Sequence, residues 1–245
     1  MNALEVRGLC KHYPAFSLRN VSFDVPQGAV VGLIGRNGAG KTTTLKSILG
    51  LVHPDSGQVR FFGQDVRQQE QPFKERIGVV LGGVDFYPKK KVSAITHVTR
   101  RFYPTWDEEK YRHYLALFHI DEDKRLDQLS SGMRVKYLLA LALSHSAQLL
   151  ILDEPTSGLD PVSRDELVTL FRAIVADGQR SILFSTHITS DLEKCASHIT
   201  FIKDGAVFCS APVADFMAAN AAHGGTLEDI IVSIERRELD AGAIV

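Results

Sequence analysis

The densest chemical signal in the chain is Gly35-Arg36-Asn37-Gly38-Ala39-Gly40-Lys41-Thr42, followed by Thr43. It fits the spacing G-x-x-x-x-G-K-[ST], in which glycines let backbone N–H groups converge on a phosphate. The lysine neutralises β- and γ-oxygens and the hydroxyl is presented to Mg2+. A chance match arises roughly once in a hundred chains of this length, so the spacing carries weight. A second signal is the apolar run Leu149-Leu150-Ile151-Leu152 ending in Asp153-Glu154. A buried strand that delivers two carboxylates at its C-terminal end is expected to put them beside the phosphate loop of a neighbouring strand, where ligands collect in open parallel sheets. Asp153 then suits Mg2+, and Glu154 suits the orientation and activation of an attacking water. Ser130, with the N–H groups of Ser131 and Gly132, can form an anion-binding helix N-terminus; the same residues also read as an ordinary N-cap. His187 ends a further apolar run, 34 residues past Asp153.

These residues need elements to hold them. Apolar residues alternate over 18–25, as in a half-exposed strand, and 29–34 is an unbroken apolar run, as in a strand buried on both faces. Leu45, Ile48, Leu49 and Val52 then repeat at helical spacing, with Gly50 and Pro54 as the stop. Strands are predicted at 59–62, 77–81, 149–152 and 181–185. Between Gly82 and Gln148 the character is helical: Thr105 and Glu108 predict a capping box ahead of a helix face bearing Tyr111, Tyr114, Leu115 and Phe118. A second helix after Ser131-Gly132 carries Val135, Leu138, Leu139, Ala142 and Leu143, and a third shows Leu167, Leu170, Phe171 and Ile174 on one face. Thr226 predicts a cap for a short helix over 227–234, and the last ten residues are expected to be loosely held.

The frame predicted is one α/β domain over 1–245: a nucleotide-binding core of 1–81 and 149–210, a helical insertion of 82–148 and a tail of 211–245. Lys and Arg number 28 against 29 Asp and Glu, and 44% of residues are apolar, as in a soluble globular protein. A near-zero charge argues against bulk electrostatic binding of nucleic acid; Lys89, Lys90 and Lys91 read as a solvated loop. The greasiest stretch, 137–152, is broken by Ser144, His145, Ser146 and Gln148, so no membrane span is expected. The first ten residues lack the basic-then-apolar layout of a signal peptide, and Cys10, Cys195 and Cys209 have neither disulfide nor zinc spacing.

The order of the motifs resembles that of ABC-type ATPases, over residues from about 3 to 210. Leu129-Ser130-Ser131-Gly132-Met133 is similar to the family signature, and Leu152-Asp153-Glu154-Pro155-Thr156-Ser157-Gly158-Leu159-Asp160 to its Walker B and D-loop block. Ser185-Thr186-His187 resembles the switch histidine, and Tyr13, 22 residues before Gly35, stands where the family places a ring that stacks on adenine. The resemblance implies a P-loop NTPase core with a mostly parallel sheet, an N-terminal antiparallel β subdomain and an inserted helical subdomain. It implies ATP and Mg2+ as cofactors: Mg-ATP held by Tyr13, residues 35–43 and Asp153, with Glu154 as base or water-positioner and His187 holding the γ-phosphate. Ser130, Ser131 and Gly132 would complete the site of an opposite subunit in a head-to-tail dimer, homodimeric or with a paralogous subunit. The stretch Phe102-Tyr103-Pro104-Thr105-Trp106-Asp107-Glu108-Glu109 resembles ATPase subunits of bacterial exporters, so a separate polytopic permease is implied, with this chain cytoplasmic and peripheral on the inner face of the cell membrane. A soluble cassette that remodels a non-membrane partner is the alternative. The chain departs from the family at Ser131 and Met133, where Gly and Gln are usual, and at Gly82-Gly83, where a glutamine is usual; Gly82-Gly83 read first as a flexible hinge with the relay through backbone or water, and Asp85 as a stand-in is the lesser alternative.

Overall fold

The computed structural model describes residues 1–66, 71–81 and 87–236, with backbone alone for 71, 72 and 236. The chain opens with a long hairpin, β1 (Asn2–Tyr13) and β2 (Phe16–Pro26), and then enters the buried strand β3 (Val30–Ile34). Helix α1 (Lys41–Ile48) follows, then β4 (Ser56–Phe61), β5 (Gln64–Asp65), the single turn α2 (Gln71–Lys74) and β6 (Ile77–Leu81). Three helices come next: α3 (Val92–Thr99), α4 (Glu108–Leu117) and α5 (Ser131–Ser144). The chain then alternates through β7 (Leu149–Asp153), α6 (Pro161–Val175), β8 (Ser181–Thr186), α7 (Thr189–Cys195) and β9 (His198–Lys203). It ends in β10 (Ala206–Pro212), α8 (Val213–Ala219) and α9 (Leu227–Arg236).

Two sheets result. One is antiparallel, in the order β2-β1-β4-β5; the other runs β10-β9-β3-β8-β7-β6, parallel except for β10 at its edge. This is the expected α/β class, with the antiparallel sheet drawn from the N-terminal part. The unbroken apolar runs divide by parity: Val30, Ile34, Leu150, Leu152, Ile182 and Phe184 face one core with α5, α6 and α9. Val31, Leu33, Leu149, Ile151 and Leu183 face the other, with α1 and the hairpin. A strand buried on both faces has no polar side to alternate with.

Several local expectations change. Helix α4 is not capped by a Thr105/Glu108 box: Asp107 is the N-cap and accepts from the N–H groups of Glu109 and Lys110, while Thr105 Oγ1 donates to the His145 carbonyl at 2.8 Å. A carboxylate at the N-cap also meets the helix dipole, which a threonine does not. Strand β4 begins at Ser56 and ends at Phe61, with Phe62 turned into positive φ. Strands β1, β9 and β10 were not anticipated; β1 carries register shifts on both sides of Leu9 that break its alternation. The predicted cap at Thr226 is present, since Thr226 Oγ1 accepts from Asp229 N at 3.1 Å. Helix α9 is firmly packed: Leu227, Ile230, Ile231 and Ile234 are all buried in the core shared with α5 and α6, each worth about 1.5–3 kcal/mol. The last residues, 237–245, lie outside the described set, as do Gly82, Gly83 and Asp85. Lys89, Lys90 and Lys91 face solvent as expected.

Candidate nucleotide site

Three parallel strands aim their C-terminal ends at one cavity. β8 lies between β3 and β7, pairing Ile34 with Thr186 on one side and Asp153 with Ser185 on the other. The carboxylate strand is therefore one strand removed from the phosphate-loop strand, rather than its neighbour. The cavity, of about 650 Å3, is lined by Asn37, Gly38, Gly40, Lys41, Thr42 and Thr43 of the loop. Glu154, His187, Ser157, Ala15 and Phe16 complete the wall.

The loop owes its shape to Gly40, which has φ of 112° and presses against the hairpin: a Cβ there would lie 2.7 Å from both Phe16 Cζ and Leu18 Cδ2. An L-residue would thus be strained in backbone and blocked in space. Gly40 stands at the N-cap of α1 without a side-chain cap, so the first N–H groups of the helix point into the cavity. Lys41 is 5% exposed, and its ammonium has two hydrogen-bond acceptors and one ion-pair partner. These are the carbonyls of Gly35 at 2.8 Å and Arg36 at 3.3 Å, and Glu154 Oε1 at 3.2 Å. The Arg36 side chain turns outward, 3.9 Å from Glu235, and Ala39 is buried behind the loop.

The carboxylates are held from below. Thr42 Oγ1 donates to Asp153 Oδ1 at 3.1 Å, and Ser185 Oγ donates to the same oxygen at 2.6 Å. Ser185 Oγ also accepts from the Glu154 N–H at 2.8 Å. Glu154 itself has φ of 49°, a left-handed conformation that costs a glutamate about 1–2 kcal/mol and is sustained only by surrounding bonds. That turn swings its side chain across the cavity mouth, so that Oε1 meets Lys41 and Oε2 meets His187 Nδ1 at 2.8 Å. Thr42 and Asp153 offer hard oxygen donors to one point, which suits Mg2+ completed by phosphates and waters. Among the described residues no cluster of three or more His, Cys, Asp or Glu side chains could hold a metal by itself.

The predicted residues separate into two sets. Residues 37, 38 and 40–43, Glu154 and His187 line the cavity, and Asp153 lies behind it, bonded to Thr42. Tyr13 sits at the hairpin end, paired in register with Phe16 and 36% exposed, with Lys11 Nζ 5.7 Å from its ring centre; the aromatic wall of the cavity is Phe16. Ser130 caps α5 by accepting from Met133 N at 3.2 Å. Neither it nor Ser131 nor Gly132 is among the cavity's lining residues. Sequence reasoning missed the roles of Ser185 and Phe16. The register of Asp153 against Ser185 was the signal for the first; for the second it was two aromatic residues, Tyr13 and Phe16, at one hairpin end.

A glycine loop leading a helix beneath paired carboxylates on a mostly parallel sheet defines a phosphate-loop nucleotide-binding protein. The sequence matches the family described as "ABC transporter" over residues 18–157, and one described as an AAA domain over 125–190. It is 31% identical over 198 residues to "Bacitracin transport ATP-binding protein BcrA" of Bacillus licheniformis, covering 80% of this chain and 65% of that protein. It is 33% identical over 208 residues to "Nod factor export ATP-binding protein I" of Burkholderia orbicola (strain AU 1054), covering 82% and 68%. Among solved structures, "Structure of ATP binding subunit of ABC transporter" superposes with a TM-score of 0.84 at 27% identity, covering 95% of this chain and 99% of that one. The dimeric post-hydrolysis structure of an ATP-binding cassette bound to ADP and Pi has a TM-score of 0.75 at 19% identity, covering 86% and 98%, a likeness of fold. The chain belongs to the ABC transporter family. It spans 65% of the length of the bacitracin relative.

Proposed function

We propose that this chain binds Mg-ATP and hydrolyses it as the nucleotide-binding subunit of a transporter whose membrane-spanning part is a separate permease. The observation that carries the reading is the closed set of bonds from Lys41 to Glu154 to His187, beside Thr42, Asp153 and Ser185. Lys41 and the α1 N-terminus receive the phosphates, and Thr42 and Asp153 hold Mg2+, which when bound neutralises phosphate oxygens. Glu154 orients the attacking water, His187 holds Glu154 and the γ-phosphate, and Tyr13 or Phe16 supplies the ring against adenine. Ser130 and Ser131 are exposed, with Gly132 buried beside them, and all three lie outside the cavity lining, which supports the head-to-tail dimer in which they complete a second copy's site. Residues 1–81 and 149–210 form the core, 82–148 the helical insertion and 211–245 the C-terminal part.

The transport role rests on the relatives, whose names describe bacitracin transport and Nod factor export; export is the corresponding reading here. Among the described residues no helix is long and apolar enough to cross a membrane; attachment through the partner, at the inner face of the membrane, belongs to the same reading. The test is direct. Purified chain with Mg-ATP should release phosphate, and Lys41→Ala should weaken ATP binding by about a hundredfold in calorimetry, since it removes a charge-assisted donor in a buried site. Undiminished binding by that variant would remove Lys41 from the phosphate site.

A further inference from the structure

Close to the Glu154–His187 pair lies a buried charge that the chemistry above does not use. Asp191 stands in the first turn of α7 and is 1% exposed. It cannot turn outward without unseating the helix, because the next residue, Leu192, fills the space over Gly32 of β3, where a Cβ would fall 1.9 Å from Leu192 Cδ2. The other charges of α7 are spent on its neighbours: Lys194 pairs with Asp165 of α6, and Glu193 accepts from Leu227 N of α9 at 2.7 Å. Asp191 instead faces the segment that follows Glu154.

Thr156 Oγ1, Arg164 Nε and Asp191 Oδ2 are buried polar atoms without a hydrogen-bond partner. Burial pushes the Asp191 pKa up, while the Thr156 hydroxyl and the charges of Arg164, Lys194 and His187 favour its carboxylate. Thr156 lies two residues after Glu154, whose carbonyl accepts from Ser157 N at 3.1 Å. Arg164 lies in the first turns of α6, and its Nη2 donates to the Leu159 carbonyl at 3.4 Å. The two residues thus bracket the turn that leaves Glu154, while Asp191 belongs to the helix that leaves His187. One carboxylate spans both segments that meet in the 2.8 Å Glu154–His187 bond. A buried charge placed only for packing is poorly placed, since an apolar or neutral residue of the same shape is as stable or more so.

We propose that Asp191 is a positioning residue for hydrolysis: by facing Thr156 and Arg164 it fixes the Glu154 turn against the His187 turn and so sets their contact. This rests on the hydrolytic reading given above. The test is Asp191→Asn, which keeps the shape and removes the charge. Its kcat for Mg-ATP should fall about tenfold or more, as misplacement of a reacting group does. KM and the calorimetric Kd should stay within about threefold, because the phosphate loop does not touch Asp191. The melting midpoint should hold or rise. Arg164→Gln should lower kcat in the same way, and the double variant should fall no further than the worse single one. Wild-type kcat in Asp191→Asn, a loss that tracks Kd or melting, or additive losses in the double variant would each overturn the proposal while leaving hydrolysis intact. A wild-type chain that binds Mg-ATP without turning it over would overturn the hydrolytic reading and this one with it.

Discussion

The nucleotide cavity and a second cavity, of about 540 Å3 between β6 and helices α3 and α5, are built on opposite principles. The first is made of ends: strand C-termini, a helix N-terminus and short polar side chains. The second is made of faces, lined by Val79, Ile95, Val98, Leu138, Leu141 and the ring of Tyr103, with Lys90 and Arg134 among its few polar groups. Below it, Thr96 ties Tyr111 and Tyr137 together at 2.7 and 2.9 Å. Unpaired backbone groups and fixed charges can bind phosphate; an apolar wall can only receive apolar surface. The polar and the apolar cavity can therefore be changed separately in this chain.

The largest expected effect is at the polar cavity. Glu154→Gln should lower kcat by about a hundredfold or more while ATP binding persists, because the amide cannot act as a base and the Lys41 contact becomes neutral. A nucleotide-loaded dimer should then accumulate in size-exclusion chromatography with Mg-ATP; wild-type turnover would remove Glu154 from its role. At the other cavity Thr96→Val should destabilise by about 1–3 kcal/mol in denaturant unfolding, because two buried phenols lose a partner, with kcat at saturating ATP unchanged within about twofold. A large loss of kcat there would break the separation of the two regions.

The smallest effect is a pH dependence confined to the apolar side. His145 is 3% exposed, stacks on Tyr103 at 3.8 Å and has its pKa lowered from 6.5 by burial. Below the ordinary value the unfolded chain binds the proton and the folded chain does not, so this share of stability is present above pH 6.5 and lost as pH falls through it. The loss should be at most about 1.4 kcal/mol per pH unit, and His145→Phe should flatten it in thermal melts between about pH 7 and 5.5.

The legibility of the two regions from sequence differs for the same reason as their chemistry. A phosphate loop must put glycine, lysine and threonine at fixed offsets, so 35–42 announced itself, and Asp153-Glu154 followed from one buried strand. The apolar cavity left no such trace, since any mix of Val, Ile, Leu and Tyr at helical spacing fills it. Ser185 was invisible for another reason: a serine at a strand end has no meaning until the β7–β8 register sets it against Asp153. The capping box misplaced at Thr105 shows that several polar residues near a helix start can compete, and Asp107 wins by its charge. The hairpin's aromatic pair is the same problem in two strands, where pairing decides that Phe16 lines the cavity and Tyr13 stands beside Lys11.

The Lys41–Glu154 ion pair has a consequence for affinity. Lys41 already faces a carboxylate oxygen at 3.2 Å and two backbone carbonyls, so on the reading proposed above a phosphate oxygen would compete with another anion for the same ammonium. The measured affinity would then report a difference between two charge-assisted contacts rather than the strength of one.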